Sequence, residues 1–124
     1  MSEIADFLRA RYAERRALAV AAAEDSGMTW SPGDECLSSS VHETDSGAPV
    51  VIGPWDYLDW DVRRHIAIND PAAVIADCDA KLSLVDLLTL TESWSGYHTG
   101  RAALYALAQP FAGHADHKGE EWGS

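Results

Sequence analysis

Glycine and proline are absent from two long stretches of this chain and crowded between them, and that spacing decides which segments can be helices. Residues 1–26 and 72–95 hold neither residue, whereas Gly27, Pro32, Gly33, Gly47, Pro49, Gly53 and Pro54 fall in the stretch that separates them. A helix interior loses about 1 kcal/mol for a glycine and about 3 kcal/mol for a proline relative to alanine. The two clean stretches therefore read as helices and the crowded one as turns and short strands.

The first helix is expected from a Ser2 cap, with Glu3 and Asp6 in its electropositive first turns, to about Asp25. At about 100° per residue, Ile4, Leu8, Tyr12, Leu18, Ala19 and Ala22 make one stripe with Phe7 at its edge. In the middle, Met28-Thr29-Trp30, the stretch from Cys36 to Thr44 and Val50-Val51-Ile52 read as strands, the last two joined through Asp45-Ser46-Gly47. Pro54 is expected to open a second helix that runs through Ala67, pairing Asp59 with Arg63 and Asp61 with His65 at i,i+4. Asp70 then caps a third helix with Pro71 at its first position, continuing to about Glu92. Its stripe is Val74, Cys78, Leu82, Val85 and Leu88. Leu84, Leu87 and Leu90 lie on other sides, so this helix is expected to be central. Gly96 and Gly100 interrupt the pattern, and a last helix carrying Ala103, Leu104, Leu107 and Ala108 stops at Pro110.

The fold class that follows is α+β, with about four helices packed on a small two- or three-stranded antiparallel sheet. Residues 1–122 read as a single compact domain and Gly123-Ser124 as a cloning scar.

Nine Lys+Arg against twenty Asp+Glu leave a formal charge of −11. Binding to a nucleic-acid backbone needs clustered Lys and Arg, so no direct nucleic-acid contact is expected. No run approaches the roughly 18 apolar residues of a membrane span, and no membrane association is expected. Cys36 and Cys78 lack disulfide-framework spacing and suit reduced thiols in the cytoplasm. Arg15-Arg16 followed by the apolar run to Ala23 imitates an export signal. Glu3, Asp6 and Glu14 before it, and the helix propensity of alanine, make it a plain helix.

The informative residues are charges in apolar positions. Arg11 and Arg15 project at about −20° and +20° from Ile4, inside the first helix's stripe, and Lys81 lies inside that of the third. Structural roles are the commoner use of inward cations, so their stems are expected to pack on the core while their heads snorkel out or meet Asp77, Asp116, Glu120 or Glu121. The sharper alternative is that Arg11, Arg15 and Lys81 line a pocket for a carboxylate or phosphate.

His114-Ala115-Asp116-His117 puts two imidazoles and a carboxylate within four residues, but neither CxxC nor HExxH is present to supply a second ligand pair. No metal and no cofactor are expected, and the tail reads as held by hydrogen bonds. Ser38-Ser39-Ser40 lacks a nucleophile elbow, and helix-dipole and i,i+4 partners account for Asp56, Asp59 and Asp61, so no catalytic residue is assigned. Of five tryptophans, three or more are expected in the core.

Two segments carry a family likeness. The run His65-Ile66-Ala67-Ile68-Asn69-Asp70-Pro71-Ala72-Ala73-Val74 followed by Lys81, and the tail from Leu107 to Asp116 ending in Glu120-Glu121-Trp122, resemble a family of small proteins of unknown function from actinobacteria and their phages. Phe7-Leu8-Arg9-Ala10-Arg11 fits the same pattern. The resemblance implies a bacterial or phage cytosolic origin and groups Arg11, His65, Asp70, Lys81, His114, Asp116 and Glu121 within the matching segments. The family's usual tail has proline at position 115 and tyrosine at position 117, where this chain has Ala115 and His117. The tail is accordingly expected to fold back so that its carboxylates meet Arg11 and Lys81.

Two functional classes follow. The first is a small acidic, non-enzymatic interaction or regulatory protein, phage-encoded and binding a basic host protein or imitating nucleic-acid charge. The second is a small-molecule binder or minor enzyme whose ligand-binding residues are Arg11, Arg15, His65, Lys81, His114 and Asp116. Edge strands in so small a sheet leave a homodimer open.

Overall fold

The computed structural model describes residues 3–33, 40–52, 58–95 and 98–122. Among these, four helices and a three-stranded antiparallel sheet give the expected α+β arrangement. In chain order they are α1 (Glu3–Ser26), β1 (Trp30–Ser31), β2 (Ser40–Glu43), β3 (Pro49–Ile52), α2 (Trp60–Ile68), α3 (Pro71–Ser95) and α4 (His98–Ala108). The chain divides into two compact units, Met1–Arg15 with Cys78–Ser124 and Arg16–Asp77.

The Arg16–Asp77 unit holds the sheet, in the order β1-β2-β3, with Trp30 opposite Glu43 and Val41 opposite Val51. Its hairpin turns where expected. Gly47 takes φ +71°, and the Glu43 carbonyl accepts the Gly47 N–H at 3.0 Å. The Glu43 carboxylate accepts the Ser46 N–H at 2.6 Å, which holds its pKa below the ordinary value of 4.5. A depressed folded-state pKa contributes stability above the unfolded value, and that contribution fades as pH falls through the folded one. Glu43→Gln is therefore expected to lower stability at neutral pH, where that contribution is fully present, and to converge with the parent chain as pH falls well below about 4.5, as urea unfolding at several pH values followed by circular dichroism would show.

α1 ends at Gly27, whose φ of +84° few other residues adopt and whose N–H bonds the Ala23 carbonyl at 2.9 Å. A Cβ there would fall onto Glu43 Cγ, so the helix end and the hairpin meet at a point where only glycine fits. Asp70 does two things at the start of α3. Its Oδ1 accepts the Ala73 N–H at 2.9 Å as the expected cap, and its Oδ2 accepts the Trp30 N–H of β1 at 3.1 Å. Asp70→Ala is expected to lower the stability of this unit by about 2 kcal/mol, the sum of a lost cap and one lost charged hydrogen bond, measurable by urea unfolding.

α2 starts later than the sequence suggested. Asp59 is its N-cap, with extended ψ of 148°, and Trp60 is the first helical residue. Residues 53–57, where Pro54 was expected to open the helix, lie outside the described residues. The expected partner of Asp59, Arg63, instead turns inward and is 2% exposed. Its Nε donates to the Leu58 carbonyl at 3.0 Å and its Nη1 to the Pro32 carbonyl at 2.7 Å. With Ala67 one turn on, it forms the buried face of α2, which packs against β1 and β2. The Arg63 and Arg64 guanidinium groups lie 5.2 and 5.8 Å from the ring centroid of half-buried Trp60.

In the other unit the core gathers Ile4, Ala5, Phe7, Leu8 and Tyr12 from α1, Val85 from α3, Leu104 and Ala108 from α4, and Trp122. Arg9 bonds Asp86 Oδ1 through Nε at 3.2 Å and Nη2 at 3.0 Å, tying α1 to α3 at the surface.

Three expectations change. Leu18 is exposed, so the stripe of α1 does not continue unbroken past Tyr12. Leu84, Leu87 and Leu90 are exposed, so α3 buries only one side and is not enclosed. Gly100 is buried inside α4 rather than ending a helix. α4 ends at Ala108, before Pro110 as expected, and Pro110 sits within a 3₁₀ turn, Gln109–Phe111, that follows it. Of the tryptophans, Trp122 is core and Trp30 and Trp60 are half-buried. Trp55 and Cys36 lie outside the described residues, as does the side chain of Trp94, while Cys78 is buried.

Candidate functional site

The tail does fold back, and Phe7 is what it folds onto. The Phe7 ring meets Phe111 at 6.2 Å, His114 and His117 each at 5.7 Å and Trp122 at 5.0 Å between centroids. Gln109 Nε2 donates to the Trp122 carbonyl at 2.9 Å, fixing the end of the tail against the end of α4.

Each tail histidine closes a small turn. His114 Nδ1 accepts the Asp116 N–H at 3.0 Å, and His117 Nδ1 accepts the Gly119 N–H at 2.9 Å, where Gly119 takes φ +63°. An acceptor at Nδ1 leaves the proton of a neutral imidazole on Nε2. The Asp116 carboxylate, 4.0 Å from His114 Nδ1, is thus a neighbour rather than an ion-pair partner of that nitrogen. Lys118 reaches α1 and bonds Glu3 at 3.1 Å, which raises the lysine pKa through the hydrogen bond and the charge of Glu3.

Between the first turns of α1 and this tail lies an open cleft of about 450 Å³. Glu3, Asp6, Phe7, Ala10 and Arg11 line it from α1, and Ala115, Asp116, His117, Lys118 and Trp122 from the tail. Its volume is within the range of small-molecule sites, about 300–1,000 Å³.

Arg11 is the unusual member. Its side chain is 15% exposed, and its guanidinium lies 5.5 Å from the Phe7 centroid. Nη2 reaches Glu14 at 3.5 Å, while Nε and Nη1 are buried with no hydrogen-bond partner. His117 Nε2, the proton-bearing nitrogen of the neutral ring, is in the same condition. A buried donor without an acceptor costs about 1–3 kcal/mol, and an aromatic face returns only part of that. Two side chains at one cleft thus hold donors with nothing to donate to.

The sequence-derived set is partly assembled here. Arg11 and Asp116 line the cleft, and His114 stands beside it on Phe7. Arg15 is exposed, its guanidinium 4.9 Å from the Phe111 centroid, and Lys81 Nζ lies 5.8 Å from the Tyr12 centroid, so both cap aromatic rings. His65 is exposed on α2 in the other unit. The expected ion pair from a tail carboxylate to Arg11 does not form, because Glu14 on its own helix takes that place. The charge crosses the other way, from tail Lys118 to helix Glu3. Sequence reasoning left His117 and Lys118 without a ligand role. The signal for His117 was the His114/His117 spacing, in which each ring receives the N–H two residues on.

No group of three or more His, Cys, Asp or Glu fit to hold a metal ion occurs among the described residues, and no helix there is long and apolar enough to cross a membrane. What remains is a small α+β protein with a mixed-charge cleft carrying unused donors. It belongs to the DUF6221 family of unknown function, whose model matches residues 1–124. No curated protein and no solved structure matches the chain.

Proposed function

We propose that this chain is a non-enzymatic binding protein whose cleft takes a small anion, a carboxylate or phosphate, on Arg11 and His117. The observation that carries the reading is the set of unpaired buried nitrogens, Arg11 Nε and Nη1 and His117 Nε2, on two side chains that line one cleft. In the free protein they are covered, so binding involves a rotation of Arg11 from Phe7 toward the ligand. The test is an amide-shift titration with acetate, benzoate and inorganic phosphate at fixed ionic strength. Saturable shifts are expected around residues 7–11 and 115–118, with loss in Ala115→Trp, which fills the cleft from an exposed position. Flat spectra with all three probes would contradict the reading.

A second reading, binding of a basic protein partner, has its own observation. Leu84, Leu87 and Leu90 are exposed along α3, on the side that also carries exposed Asp79 and Asp86. Such a face suits an apolar patch edged with Lys and Arg. Leu87→Glu should abolish, and high salt weaken, any complex formed this way. For either reading we take the setting to be the cytosol of an actinobacterium or its phage-infected host, on the resemblance carried by His65 to Val74 and Leu107 to Asp116.

A further inference from the structure

We infer that the ligand of this cleft is a monocarboxylate with a compact apolar body, and that phosphate is disfavoured; this rests on the binding reading above and narrows it. The argument is one of local charge. Glu3, Asp6 and Asp116 line the cleft against Arg11 and Lys118, so the lining is already one negative charge in excess. Lys118 is engaged by Glu3, and Arg11 carries Glu14 on Nη2. The attraction open to an anion is confined to the free part of Arg11 and the Nε2 donor of His117.

A carboxylate brings one negative charge and two acceptor oxygens to those donors. Phosphate near neutral pH brings about 1.5 to 2 charges and a third oxygen, roughly doubling repulsion from the three lining acids without gaining a second free cation. The rest of the wall accounts for the body of the ligand. Phe7, Ala10, Ala115 and Trp122 are apolar, and the two alanines leave room where longer side chains would close the cleft. A carboxylate held at Arg11 would lay its carbon skeleton along these four.

The test compares benzoate, acetate and inorganic phosphate on the full chain at pH 7.5 and constant ionic strength, with dissociation constants read from amide shifts and from the Trp122 indole signal. Benzoate is expected to bind at least tenfold more tightly than phosphate, with acetate between them. Arg11→Gln is expected to weaken benzoate at least tenfold, and Ala115→Trp to exclude it even if the Arg11 variant folds poorly. Phosphate binding as tightly as benzoate would overturn the inference and leave the anion-binding reading standing. Silence from every probe would overturn both.

Discussion

Arg63→Ala is expected to destabilise the Arg16–Asp77 unit by about 3–5 kcal/mol, a large effect for one substitution. Arg63 is 2% exposed, and it is the donor for the Leu58 and Pro32 carbonyls. Each half-buried acceptor stripped of its partner costs up to about 1–3 kcal/mol. Loss of the aliphatic stem adds a cavity between α2 and the first two strands. Arg63→Met separates the two contributions, since it restores most of the packing and none of the bonds. It should recover no more than about half of the loss. Urea unfolding followed by Trp30 and Trp60 fluorescence measures both variants. A change below about 0.5 kcal/mol in Arg63→Ala would show that the guanidinium is not the clamp described.

Arg11→Met is expected to act in the opposite direction on stability and to remove binding. In the free protein Arg11 gains a contact with the Phe7 ring, about 0.5–1 kcal/mol, and a pair with Glu14, whose side chain is 61% exposed, which is worth at most about 1 kcal/mol. Against this stand two sealed guanidinium nitrogens without acceptors, at about 1–3 kcal/mol of desolvation. Methionine keeps the stem on Phe7 and removes the unpaired groups. The variant should therefore unfold at equal or higher urea, by up to about 1 kcal/mol, while benzoate affinity falls at least tenfold. A residue retained only for structure would behave otherwise, and a loss of 2 kcal/mol with binding intact would assign Arg11 to the scaffold.

These two arginines also mark how far the sequence could be read. Local chemistry was legible. The Asp70-Pro71 start of α3 and the Gly47 turn follow from the residues at those positions, and both stand as expected. The inward direction of Arg11 followed from helical spacing alone, and its side chain is indeed mostly covered. Its partner did not follow, because Glu14 three residues on competed with tail acids about a hundred residues away, and the nearer carboxylate took the place.

The i,i+4 spacing pairs Arg63 with Asp59. What pulls it inward is a carbonyl 31 residues distant, which no local pattern reveals. Periodicity likewise failed for α3. A helix apolar on nearly every side does not say which leucines will be covered, and Leu84, Leu87 and Leu90 are not. The cleft was half legible for the same reason. Arg11 and Asp116 could be named, but the free donor of His117 exists only because Gly119 turns back onto Nδ1, a feature of tertiary geometry.

The most direct test of the account is the Nε–Hε resonance of Arg11 in isotopically labelled protein, followed as benzoate is added. If the buried donors of Arg11 await an anion, this signal should move downfield and exchange more slowly with water. It should saturate with the same dissociation constant as the amides of residues 115–118, and Arg9 Nε–Hε, already bonded to Asp86, should stay in place. An Arg11 signal unmoved at saturating benzoate, or one that shifts linearly without limit alongside Arg9, would contradict the claim that the cleft is a binding site.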